Sequence, residues 1–217
     1  MSPEIYVSSI VFLGEINPVI IQPFWLAHKG LIQETEGENA KVEIIHNEIV
    51  KFDLEWASIE ITRNKFQIRT TKESFFEVTK DLAGGVFRIL KDTPLKNLGI
   101  NHIFHFRLDE TKYIKLGKIL APFENWKDVL SDPKLLHLEM TEEQRRDNLK
   151  GHYRIRITPS ELIRQYGVSL NINDQFNKQN DRLVGAGEMV DSLNHNWKSS
   201  LERAKTTSTY LWKNLNL

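Results

Sequence analysis

The chain contains no cysteine. That absence removes disulfides, thiol catalysis and thiolate-held metal from consideration. Charge of one dominant sign is missing too, because 29 lysines and arginines balance 29 aspartates and glutamates. Nothing global therefore draws the molecule to nucleic acid, an anionic membrane or an acidic substrate, although a local basic face stays open. No run approaches the ~18 consecutive apolar residues of a membrane-spanning helix. The start, MSPEIYVSSIVFLGE, has no basic leader region, and its apolar run is broken by Ser8, Ser9 and Gly14. With no secretory signal to read, the expected location is the cytoplasm. What is present, 40% hydrophobic and 27% charged residues in a chain of 217, suits a folded domain with a sizeable core.

Catalytic signatures are scarce. Phosphate-loop and dinucleotide-loop glycine patterns are absent, as is Gly-x-Ser-x-Gly. Gly185 and Gly187 sit at the entry to a helix, where backbone N–H groups could meet an anion, but flexible entry explains them as simply. His-x-His, His-Glu-x-x-His and Asp-rich loops are absent, so neither a metal nor another cofactor is expected.

The pattern along the chain is α+β. IYVSSIVFLGE reads as a strand. Pro23 opens a short helix carrying Phe24, Trp25 and Leu26. VEIIHNEIVKFDLEW alternates, with Val50, Phe52, Leu54 and Trp56 on one face, and SIEITRNKFQIRTT reads as a hairpin. Phe75, Val78, Leu82, Val86 and Ile89 then make a helical stripe, with Gly84 and Gly85 expected at a close packing contact. The second half repeats the order: the strand GINHIFHFR, a helix ending before Pro122, strands at KLLHLEMT, HYRIRIT and YGVSLNIN, and a helix from Ala186 to Leu215. DQFNKQNDRLVG reads as a polar loop. This order suggests a tandem β-α-β-β-β-α duplication, residues 1–98 and 99–217, within one continuous domain. The expected fold is a mainly antiparallel sheet with long helices on one face, of saddle or helix-grip type.

The segment KLGKILAPFENWKDVLSDPKLLHLEM followed by YGVSLNIND resembles a large, scattered group of uncharacterised prokaryotic proteins. Those carry a Leu-Ala-Pro-x-x-x-Trp segment, here Leu120 to Trp126, and end in a long helix. The resemblance implies a bacterial protein of α+β architecture and no particular activity.

Several residue groups deserve a chemical test. His102 and His105 are three apart, but strand alternation sends them to opposite faces, so they cannot share an ion. Glu110 and Lys112, with Asp53 or Glu55 as a distant acid, fit the pattern of a magnesium-dependent nuclease. Helix capping by Asp109 and Glu110 accounts for the same residues. Arg63, Lys65 and Arg69 cluster at the early hairpin, and His152, Arg154 and Arg156 share one face of a later strand, with Arg145, Arg146 and Lys150 just before it. These could form an anion or nucleic-acid surface. Trp197, Tyr210 and Trp212 on the terminal helix are candidates to meet a protein partner or a second copy. The leading expectation is a non-enzymatic protein-binding module, a subunit or inhibitor in a bacterial complex. Nucleic-acid binding and nuclease action are the alternatives.

Overall fold

A computed structural model gives the architecture and describes residues 1–147, 149–177 and 183–215. The first half contains β1 (Ile5–Gly14), α1 (Pro23–His28), α2 (Glu34–Glu38), β2 (Lys41–His46), β3 (Ile49–Asp53), β4 (Ser58–Thr62), β5 (Lys65–Thr70) and α3 (Phe76–Ile89). The second contains β6 (Pro94–Arg107), α4 (Glu110–Leu120), β7 (Leu138–Glu142), β8 (Gly151–Pro159), β9 (Gly167–Asn177), β10 (Val184–Gly185) and α5 (Ala186–Leu215). The strands form one antiparallel sheet in the order β2-β3-β4-β5-β1-β6-β9-β8-β7, with β10 added beside β6. The α+β expectation holds, with the long helices α3 and α5 packed on the same face.

β1 and β6 make the central seam, in register from Ile5↔His105 to Leu13↔Asn97. Outward from it the halves have the same order, β1-β5-β4-β3-β2 on one side and β6-β9-β8-β7 on the other. One hydrophobic cluster runs through both halves, from Phe52, Ile61 and Phe66 to Phe106, Ile172 and Leu170. Even-numbered positions of β1, β5, β6 and β9 face the helices. Phe12 and Phe66 meet Phe87 of α3, with ring centroids 4.7 and 5.2 Å apart, and Phe106 meets Trp212 of α5 at 4.7 Å.

Four details depart from the sequence reading. The segment from Lys41 to Asp53 is two strands turning at Asn47 and Glu48, so the first half has four strands between its helices, not three. The long strand of the second half starts at Pro94, so a boundary at 98/99 would cut β6. The buried stripe of α3 is Phe76, Thr79, Leu82, Ala83, Val86 and Phe87, while Val78 and Ile89 are exposed. The helix must serve the sheet and α5 together, and this rotates its apolar sector from the best-spaced stripe. Finally, β9 runs on through Asp174, Gln175, Phe176 and Asn177, which pair with β6. Most of the rest of the expected polar loop, 178–182, lies outside the described residues.

Gly84 faces α5, but the helix pair does not require a glycine there. A Cβ there would lie 3.6 Å from Val190 Cγ1 of α5, in ordinary contact. α5 supplies Met189, Leu193, Trp197, Ala204 and Leu215 as expected, and Val190, Ser200 and Trp212 in addition.

Candidate functional site

With the helices on one side, the odd-numbered positions of the central strands form an open polar face on the other. Its registers are continuous. One rung runs Asp53, Ser58, Arg69, Ser9, Asn101, Asn173, Arg154 and Thr141 across eight strands. The neighbouring rung holds Gln67, Val11, Gly99, Gln175 and His152. The face is therefore read as a grid in which each side chain has a fixed neighbour.

The expected basic residues divide along this grid. Lys65 and Arg69 of β5, and His152, Arg154 and Arg156 of β8, do lie on the open face. Arg63 lies in the turn before β5 and pairs with Glu48 at 2.6 Å. Three strands separate Arg69 from Arg154, so their backbones are roughly 19 Å apart at ordinary strand spacing. The charges form two flanks rather than one patch, and acids hold most of them. Lys65 pairs with Glu60 at 2.6 Å, and Arg154 and Arg156 share Glu139 of β7 at 3.4 and 2.6 Å. Those arginines keep the Glu139 carboxyl below its usual pKa. Burial lowers the His152 pKa, reinforced by Arg154 and Arg145, which favours the neutral ring.

Amides fill the centre between the flanks. Asn173 donates to Asn101 across β6 and β9. Asn97, Asn171, Gln175 and Asn177 surround this pair, and the Gln175 amide donates to Asn177 at 2.9 Å. The carbonyl oxygens of Asn97 and Asn173 and Nε2 of His152 are shielded, with no hydrogen-bond partner among the described residues. The sequence reading passed over these amides because they carry no charge. Their signal was legible in VSLNINDQFN, where Asn171, Asn173, Gln175 and Asn177 alternate with apolar Leu170, Ile172 and Phe176. Beside Arg69 the face opens into a groove of about 1050 Å³ walled by Asp53, Trp56 and Phe75.

Arg145 does not belong to the basic surface. It is 6% exposed and pairs with Asp174 at 2.5 Å and Asp147 at 2.5 Å. Arg203 of α5 closes the square, reaching Asp174 at 2.7 Å and Asp147 at 2.9 Å. Two cations and two anions balance beneath the sheet and tie the connector before β8 to α5. The guanidinium of Arg145 holds the Asp147 carboxyl well below the usual carboxylate range.

The two histidines separate as strand alternation requires. His102 is fully buried on the helix side, where Nδ1 shares a 2.9 Å hydrogen bond with the Tyr6 hydroxyl. Burial lowers its pKa to about 4. His105 lies on the opposite side with Nδ1 2.8 Å from Ser160 Oγ. Ser8 is the cross-strand neighbour of His102, but both are fully buried and out of substrate reach. Among the described residues no cluster of acids and histidines could hold a metal ion.

The nuclease constellation does not assemble. Glu110 and Lys112 start α4, and Asp109 Oδ1 caps that helix by accepting from the Lys112 backbone N–H at 2.8 Å. Asp53 belongs to β3, on the far side of β4, β5 and β1 from the strand that precedes Glu110. The terminal-helix aromatics also part company. Trp197 and Trp212 are 1% and 4% exposed, whereas Tyr210 is 68% exposed. A helix packed along a sheet turns its largest apolar side chains inward, so a partner can meet Tyr210 alone of the three. No helix among the described residues is long and apolar enough to cross a membrane. A scan against protein-family models and a search of curated proteins found no match to this chain.

Proposed function

We propose that this chain is a non-enzymatic binding module whose open sheet face grips a protein partner, as a subunit or inhibitor in a bacterial complex. The supporting observation is the block of amides at the centre of that face, Asn97, Asn101, Asn171, Asn173, Gln175 and Asn177. A side-chain amide offers both donors and an acceptor, the same complement as a peptide group. It therefore suits a partner that presents polypeptide backbone or amide side chains. A phosphate backbone uses donors alone, and the lysines and arginines that would supply them are largely paired with acids. None of the strand positions on this face carries Phe, Tyr or Trp, and the rings of Trp56 and Phe75 stand beside it in the groove next to Arg69, away from the amides. The shared strand order of the two halves supports reading them as repeats about the β1–β6 seam, which places the amides at the middle of a saddle.

The test compares captures from the native host. The parent chain, Asn101→Lys/Asn173→Lys and Tyr210→Ala are each used as bait. The reading requires a protein held by the parent and by Tyr210→Ala but lost with the double lysine variant. Capture indifferent to the lysines rejects the open face. A salt-sensitive gel shift of duplex DNA or RNA, abolished by Arg154→Glu/Arg156→Glu, replaces this reading with nucleic-acid binding.

A further inference from the structure

On the helix side of the sheet, α4 buries only Leu116 and Gly117 of its 11 residues. It therefore stands on the sheet by few side chains, and a pocket of about 650 Å³ lies beneath it. That is the size range of small-ligand sites. The floor is apolar and buried: Leu116 from α4, Ile157 from β8 and Val168 from β9. Phe123 lines the pocket from the segment after α4. Its ring comes close to the helix because residue 117 is glycine, where a Cβ would stand 2.9 Å from it.

Two more rings belong to the lining. Tyr113 and Tyr166 meet with centroids 5.8 Å apart at 57°. Tyr166 is set there against backbone preference, since it and Gln165 both have φ of 55°. That left-handed conformation is disfavoured for residues with a Cβ, and such strain concentrates at ligand-binding positions. The placement is also pinned. The Tyr166 carbonyl accepts from the Leu108 N–H at 3.2 Å, and a hydrogen bond to Glu110 raises the pKa of its phenol.

The charges of the lining cancel. Lys118, Lys127 and Lys134 stand against Glu110, Glu124 and Asp132. A charged guest would give up its hydration here without a surplus of opposite charge to replace it, whereas an uncharged guest loses nothing of the kind. Three aromatic rings around an aliphatic floor suit a flat ring system, which can meet them edge-on or offset.

We propose that this pocket binds a small uncharged aromatic molecule. Its ring system rests on Leu116, Ile157 and Val168, with one edge against the Tyr113–Tyr166 pair. The site is on the opposite side of the sheet from the amide face, so it stands or falls independently of the protein-binding reading.

Isothermal titration of the full chain at neutral pH with 2-naphthol, 2-naphthoate and 2-naphthylmethylammonium tests it. The three probes share one ring system and differ in charge. The parent takes up one equivalent of 2-naphthol and binds it roughly tenfold or more tighter than either ion. Tyr166→Gly removes a ring of the lining while suiting the left-handed backbone, so the fold is kept and 2-naphthol weakens roughly tenfold. Val168→Phe fills the floor and abolishes uptake. Absence of saturable 2-naphthol uptake by the parent overturns the proposal, as does an ion that binds as tightly as 2-naphthol. Uptake unchanged in Tyr166→Gly overturns it too, and that variant decides alone if Val168→Phe fails to fold.

Discussion

Single residues in this protein take their properties from the side of the sheet they face. His102 and His105 are three apart in sequence, yet one is sealed between the sheet and α5 and the other is tied to a loop serine. The pH response follows from His102. Its pKa is near 6.5 unfolded and about 4 folded, so the unfolded chain binds the proton more readily between those values. Stability from the neutral buried ring is complete above pH 6.5 and is lost as pH falls toward 4. The full window is on the order of 3 kcal/mol. Urea unfolding at pH 7.5 and 4.5 should show a larger acid loss for the parent than for His102→Gln. Equal losses would mean that the ring charges without penalty in the folded state.

At the scale of elements, α3 meets α5 at Gly84, where there is room for a methyl group and little more. The Cβ of an alanine would reach Val190 at 3.6 Å, a normal contact. Alanine also removes the backbone freedom of glycine within a helix, an effect of roughly 1 kcal/mol. Gly84→Ala should therefore raise the urea midpoint. Gly84→Leu should lower it, because the added atoms must separate the helices or displace Val190. A drop with alanine would show that the helices lie closer than described. The helix periodicity was plain in the sequence, but which residues face inward was not. Val78 and Ile89 fit the stripe by spacing, yet the two surfaces that α3 must meet turn them outward.

For the whole molecule, the β1–β6 seam decides whether the halves are independent. Ten registered pairs join these strands, and α3 packs on α5 above them. Cutting between residues 93 and 94 would expose two long, apolar strand edges. Fragments 1–93 and 94–217 should each lack a cooperative urea transition, and refolding them together should restore it. A fragment that unfolds cooperatively alone would make its half a domain in its own right. The amide face also belongs to this scale, since Asn101 and Asn173 come from strands that the seam and its neighbour bring together.

Local physics was sufficient for much of this protein. Strand alternation, proline and glycine punctuation and helical spacing determined the element types, the long terminal helix, the opposed histidines and the Asp109 cap, because each depends on neighbours within a few residues. The absence of cysteine excluded disulfides and thiol chemistry without a structure. Tertiary structure alone decided which polar residues share a surface. It moved Arg145 from an assumed basic face into a charge square around the buried Asp174, and it turned Trp197 and Trp212 inward. It also set uncharged amides between two basic flanks. Those placements follow from strand order, which depends on long-range pairing that no local pattern encodes.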